Sequence, residues 1–249
     1  MASLKLVSLN IERHKHLELV GRFLTKQGPD IICLQEVFEH DLERFSRALG
    51  GASHVFEPMT RRPDEPPPGI MGLAIFSRFP ISRSSTYYYA GNPGTVPESF
   101  QDSPKTYNYA NRMIVAADIN SEGRIFRIGN THFKWTPNGQ PDDGQRHDIK
   151  ILLNILDSIG EFVLTGDFNA PRGGEIFEEL AAHYKDNVPA RYTGSLDLSL
   201  HRAGKKEGAR LSHLMVDGLF STPGYIVSDV ELVSGVSDHM AIVATVSKS

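Results

Sequence analysis

Two β-sheets packed face to face, with helices outside them, is the architecture the sequence predicts. Three observations lead there. Short apolar stretches with strand character recur along the whole chain, amphipathic helical stretches separate several of them, and the elements fall into two similar halves. No internal repeat is visible and no linker of different composition divides the 249 residues, so a single domain over 1–249 is expected.

Residues 4–10 are apolar on both faces and predict a strand buried on both sides. In 16–26, Leu17, Val20, Phe23 and Leu24 recur at helical spacing, and Gly28-Pro29 ends that helix. A second strand (30–37) and a second helix (40–49, closed by Gly50-Gly51) follow. Strands at 72–77, 86–90, 112–119 and 124–131 have antiparallel character, with Ser121-Glu122-Gly123 turning the last pair. The clearest helix is 142–159, with Ile149, Leu152, Leu153, Leu156 and Ile159 on one face. Then come a strand (161–165), a helix (175–183) and strands at 214–220, 226–233 and 240–246. Loops 60–69 and 91–111 are long enough to suggest functional lids, and Lys205-Lys206 is expected in a solvated loop.

Composition narrows the function. A content of 40% hydrophobic residues supports a sizeable core and excludes a disordered chain. The net charge of −4 is unlike a protein that holds long nucleic acid by its phosphates, so a polyanionic substrate is expected to be compact or to be gripped mainly at the active site. The single cysteine, Cys33, excludes an intrachain disulfide and sits in an apolar run, as a core thiol would. No run approaches a membrane span and the first residues lack a signal-peptide pattern, so a cytoplasmic, monomeric protein is expected.

The chemistry-bearing residues fall at strand ends. Thr165-Gly166-Asp167-Phe168-Asn169 sets a carboxylate and an amide two residues apart, able to take a proton or metal and to donate to an anionic oxygen. By itself the segment is equally a turn. Ser237-Asp238-His239-Met240 pairs a carboxylate with the side chain best suited to proton transfer near neutral pH. Leu34-Gln35-Glu36-Val37 leaves Glu36 ending a hydrophobic strand, where a hard divalent cation would satisfy it. Asn130-Thr131-His132-Phe133, Val216-Asp217-Gly218 and Ser8-Leu9-Asn10-Ile11-Glu12 complete the set.

In this order these motifs resemble the endonuclease/exonuclease/phosphatase family over residues 4 to 246, and Gly72-Leu-Ala-Ile-Phe-Ser-Arg-Phe-Pro-Ile81 is similar to a characteristic strand of that family. The resemblance implies a four-layered α/β/β/α sandwich of the α+β class. It also implies a phosphoesterase dependent on magnesium or manganese. Residue by residue it implies a metal site of Glu36, Asn10, Asp238 and Glu12. Asp167 and Asn169 would position water and phosphate, His239 would sit at the scissile phosphate, oriented by Asp217, and His132 would be a second histidine. Whether Asp167 or His239 takes the water's proton stays open. Arg112 is similar to an arginine that contacts phosphate, or is a surface charge at a strand edge. Trp135 is placed to stack on a substrate ring or to anchor a loop, and Tyr109, with Phe100 and Tyr107, would select the non-phosphate part from loop 91–111.

There are departures. Gly69-Ile70-Met71 stands where deoxyribonuclease-like members carry a glutamate partner for His132, the longer 5-phosphatase signatures are missing, and no membrane-inserting hairpin is present. Two substrate classes remain: a small molecule or lipid headgroup, favoured by the charge, and nucleic acid or a tyrosyl-DNA end adduct.

Overall fold

The computed structural model describes residues 3–101, 103, 105–106 and 108–249, so Tyr107 lies outside the described residues. The chain begins with strand β1 (Ser3–Asn10), helix α1 (Leu17–Gln27) and strand β2 (Ile31–Phe38). Gly28 ends α1 in the left-handed conformation, its N–H donating to Leu24 O, so glycine serves here where a side chain would be strained. A 3-10 turn (Glu39–Asp41), α2 (Leu42–Ala48), β3 (Ser53–Arg62) and β4 (Gly69–Ser77) follow, then β5 (Ile81–Ala90), β6 (Arg112–Ser121) and β7 (Arg124–His132). Helix α3 (Asp143–Ser158) starts with Asp142 accepting from Gln145 N. The remaining elements are β8 (Val163–Asp167), α4 (Glu175–His183), β9 (Lys185–Asp186), α5 (Gly204–Leu211), β10 (Asp217–Ser221), β11 (Tyr225–Val233) and β12 (Ala241–Lys248).

These form two six-stranded mixed sheets, ordered β11-β12-β1-β2-β4-β3 and β5-β6-β7-β8-β10-β9. Each sheet holds one parallel pair joined by a helix: β1-α1-β2 in the first, β7-α3-β8 in the second. The sheets face each other over a core that includes Leu6, Ile31, Cys33 and Leu73 from one and Met113, Val115, Ile128 and Leu219 from the other. Val20, Phe23, Leu24 and Phe45 pack α1 and α2 on the outside of the first sheet. Ile149, Leu152, Leu156, Phe177 and Leu180 pack α3 and α4 on the outside of the second. The result is the expected α/β/β/α sandwich. Among the described residues no helix is long and apolar enough to cross a membrane.

Besides the two-residue β9, two elements depart from the sequence reading. β3 was not predicted, because Pro58 interrupts it and Glu57, Arg61 and Arg62 hide its alternation; it lies at a sheet edge, with a register shift beside the proline. Lys205-Lys206 belongs to helix α5 rather than to a loop. Its weak apolar stripe, through Leu211, rests on Leu196 and Val216, a contact that only the tertiary path creates.

Candidate active site

In both β-α-β units the strands' carboxyl ends point the same way, which brings Asn10, Gln35-Glu36, His132 and Asp167 to one edge of the sandwich. Register does the rest. His132 is level with Asp167 across β7–β8, and Asp217 is level with Asp167 across β8–β10. Gly166 permits the close approach, since a Cβ there would lie 1.9 Å from Thr131 O. Leu196 forms an isolated bridge with His239, which brings the Asp238-His239 segment alongside.

Backbone strain is concentrated here. Glu12, Arg13, Glu36 and Asn169 all have φ between 49° and 63°, in the left-handed region that ordinary residues avoid. At Glu36 the strain coincides with a bulge, for the β2–β4 register shifts between Leu34 and Val37. Such a bulge redirects a side chain that regular pleating would send elsewhere.

The polar groups interlock. His239 Nδ1 lies 2.8 Å from Asp217 Oδ2, and its Nε2 is 3.8 Å from Asp167 Oδ2. Asp217 is steadied by its N–H donating to Ser195 Oγ. Asp167 accepts from Asn10 Nδ2 at 3.0 Å on one oxygen and from Asn169 N–H at 2.8 Å on the other. His132 Nε2 stands 3.5 Å from Asp167, while its Nδ1 is shielded and has no hydrogen-bond partner among the described residues. Asn169 Nδ2 donates to Phe133 O.

Electrostatics separates the two histidines. Burial pushes His132 down to about 3, so its ring is neutral at any ordinary pH. Burial also disfavours charge on His239, but Asp217 and Asp167 outweigh it and hold that ring well above the usual histidine value, as a cation. Asp167 is raised by burial, partly offset by the two histidines. Asp238 is pushed up to about 7 by burial, with Glu12 and Glu36 adding repulsion.

That repulsion bears on metal binding. Glu36, beside Arg13, and Asp238 line the same cavity and repel each other, and hard oxygen donors of this kind suit magnesium or manganese. The donor set fits such an ion. Two of the four expected ligands are arranged otherwise. Asn10 turns its oxygen to the Glu12 N–H and its Nδ2 toward Asp167 and Glu36, so it aligns carboxylates instead of offering an oxygen. Glu12 engages Lys15 and His16 with its two oxygens, and these partners outweigh burial to hold its carboxyl below the usual range. Glu12, His16 and Asp238 nevertheless keep three donor atoms within 4.8 Å of one another.

A cavity of about 440 Å³ opens over these groups, and Trp135 and Arg112 both line it. Arg112 is not a surface charge: it is 6% exposed, and its Nη1 donates to the carbonyls of His132 and Phe133. Trp135 is 39% exposed in the wall, with its carbonyl accepting from Asn108. Tyr109 requires a correction. It is 61% exposed and, like Phe100, lies outside the cavity wall. Loop 91–111 is stitched to the edge strand β3 through Arg61, Thr60 and Met59, and it presents Ser99, Gln101, Asn108 and Ala110 to the cavity rather than Phe100 or Tyr109. The cavity also takes Arg13, Arg62, His201, Arg202 and Arg210, none of which the sequence reading singled out. The only sequence signal was the density of charge near α5.

A histidine paired with an aspartate, a buried carboxylate beside it, two further carboxylates and several arginines line one cavity, as the active site of a hydrolase of phosphate esters requires. The chain belongs to the Endonuclease/Exonuclease/phosphatase family, whose model matches residues 7–239. No curated protein matches the sequence. Among solved structures it is similar to the endonuclease/exonuclease/phosphatase from Bacteroides vulgatus, at 19% identity over 100% of both chains with a TM-score of 0.73. It is also similar to a mannosyl-6-phosphatase from Bacteroides thetaiotaomicron (15% identity, 98% of this chain and 99% of that one, TM-score 0.70). A humanized D. rerio TDP2 shares the fold as well (15% identity, 99% of each chain, TM-score 0.66).

Proposed function

We propose that the chain is a divalent-metal-dependent phosphoesterase that hydrolyses a compact phosphodiester or phosphomonoester by in-line attack of water. The observation that carries this reading is the Asp217–His239 pair set beside Asp167, with Glu36 and Asp238 facing the same cleft. Glu36 and Asp238 would hold a hard cation, which would supply positive charge beside the phosphate when bound. The side chains do the rest. His239, kept protonated by its two carboxylates, binds a phosphoryl oxygen and stabilises the charge that builds there. Because His239 already holds its proton, Asp167 is the base that receives the proton of the attacking water, and its raised pKa suits it to that task. Asn169 and Arg112 donate to the remaining oxygens. His132, neutral and 3.5 Å from Asp167, positions that carboxylate.

A compact substrate is supported by the cavity volume, which falls in the range of small-molecule sites. The mannosyl-6-phosphatase of the same fold makes a sugar phosphate a reasonable member of the substrate panel. The arginines in the wall favour the second reading, a nucleic-acid end adduct, and the TDP2 of the same fold belongs to that comparison.

The test is hydrolysis of an aryl phosphodiester and of a panel of sugar phosphates with magnesium or manganese. Activity should disappear in excess chelator and return with added ion. Glu36→Gln should raise the ion concentration needed for half-maximal rate, because it removes the anionic oxygen and preserves size. Undiminished turnover in excess chelator would defeat the proposal.

A further inference from the structure

A second group of metal-type donors lies just outside the cavity. His14, in the loop between β1 and α1, stacks on Phe38 with ring centroids 4.2 Å apart and planes within 5°. His40, in the turn after β2, lies 5.1 Å from the His14 ring and 5.2 Å from Phe38. Gly69 leaves room for this arrangement, since a Cβ there would fall 2.8 Å from Phe38 Cδ1 and 2.9 Å from His40 Cε1. Asp41 completes the group, with Oδ2 3.2 Å from His14 Nδ1 and 3.9 Å from His40 Nε2. One donor atom from each residue lies within 4.8 Å of the others, and none of the three residues lines the catalytic cavity.

Two further features call for a cation there. Asp41 Oδ2 is shielded from solvent and lacks a hydrogen-bond partner, so the close approach of His14 Nδ1 to this carboxylate is not an aligned hydrogen bond. Asp41 also occupies the N-cap position of α2, yet its side chain makes no capping bond, and the carboxylate is turned away from the backbone amides that its place in the chain offers. Shielded polar atoms are costly unless satisfied. An ion with metal–ligand distances near 2.0–2.1 Å and tetrahedral geometry separates its donors by about 3.3 Å, close to the shorter of the two separations seen.

We propose that His14, His40 and Asp41 form a second divalent-cation site, selective for zinc-type ions, that ties the loop bearing Glu12 and Arg13 to the turn following Glu36. Two imidazoles and one carboxylate suit zinc better than magnesium, which prefers oxygen donors. The half-exposed His40 leaves the fourth position to water. The site braces two strained strand ends of the catalytic edge without supplying a group to the reaction.

The experiment is calorimetric titration of the full chain with Zn²⁺ in excess Mg²⁺, run on wild type, on Glu36→Gln/Asp238→Asn and on His40→Gln. The doubly substituted protein, stripped of the catalytic carboxylates, should still bind one equivalent of zinc and gain thermal stability from it. His40→Gln should weaken that equivalent by roughly a hundredfold or more, since even residues that only orient a ligand contribute on the order of 10- to 100-fold. Asp41→Asn, tested alongside, should match it. X-ray absorption of the zinc-loaded double variant should register two imidazole ligands. Unchanged zinc affinity in His40→Gln and Asp41→Asn, or no zinc equivalent in the double variant, overturns the proposal.

Discussion

Gln35 reaches across the interface between the two sheets and donates through Nε2 to Asn130 Oδ1 at 2.6 Å. Both side chains are fully buried, and Asn130 Nδ2 donates in turn to the carbonyls of Leu34 and Ala74. This polar tie sits one residue from Glu36 and two from His132, so it fixes the height at which the two sheets present their catalytic ends. Gln35→Met should destabilise by about 1–3 kcal/mol, because Asn130 Oδ1 loses its donor inside the core. For a chain of this size that is a fall in Tm of several degrees. Adding Asn130→Val should cost less than the sum of the single changes, since the side-chain oxygen that Gln35→Met leaves without a donor is removed with it. Strict additivity in thermal melts would show that the two side chains do not act as a pair.

The Asp217–His239 pair should behave as one unit in catalysis. Asp217→Asn removes the carboxylate that holds the imidazole in one orientation and supports its positive charge. His239→Ala and Asp217→Asn should each lower kcat by roughly a hundredfold or more, the size of acid–base and electrostatic contributions in such sites. The double variant should fall little further. A double-mutant cycle with full additivity would separate the two roles.

His132 makes a prediction about pH. Its folded-state value, about 3, lies below that of an unfolded histidine, near 6.5. Between those values the unfolded chain binds a proton at this ring and the folded chain does not, so the ring's contribution to stability falls as pH falls through that window. The slope is about 1.4 kcal/mol per pH unit. Asp238, raised to about 7, acts with the opposite sign over much of the same range, because its folded form holds a proton that the unfolded form releases. The wild-type profile is therefore a partial cancellation. Replacing His132 by Gln removes one side of it, so denaturation in chelator should show the variant gaining stability relative to wild type as pH drops from 6.5 toward 4. Parallel pH profiles for the two proteins would mean that His132 takes up a proton in the fold.

What the sequence disclosed and what it withheld have a common physical basis. Asn10, Glu36, Asp167, Asp217 and His239 were legible because each sits at the end of an apolar strand, where a polar side chain must face solvent, a ligand or a partner. Parallel strands joined by helices bring such ends together. Arg13, Arg62 and Arg210 were not legible, because an arginine in a loop, at the end of an edge strand or in an exposed helix has no pattern that distinguishes a cavity wall from an ordinary surface. Ser195, which steadies Asp217, lies in an irregular segment whose position depends on its bridge to the last strand. The same limit explains Tyr109. An aromatic residue in a long loop suggests a lid, but hydrogen bonding of that loop to β3 turns the ring to solvent.

Salt and Trp135 together discriminate between the substrate classes. A nucleic-acid substrate held through several phosphates releases several counterions, so its binding constant should fall steeply on a logarithmic salt scale, with a slope near −0.9 per phosphate contact for duplex DNA and about −0.7 for single strands. A compact ester that touches Arg112, Asn169 and the cation should give a shallow slope, because most of the cavity's other arginines are engaged by the protein's own acids: Arg13 and Arg62 with Glu65, Arg210 with Glu207. Trp135 adds an independent readout. It is partly exposed in the cavity wall with its backbone pinned by Asn108, which suits it to stacking on an aromatic or sugar portion of the substrate. Trp135→Ala should raise KM for aryl esters by about tenfold, at the low end of what one stacked ring contributes, and leave kcat nearly unchanged. An alkyl ester of the same phosphate should lose less, since it has no ring to stack. A steep salt slope on DNA or RNA, with turnover above that of every small ester, would move the assignment to the nucleic-acid class.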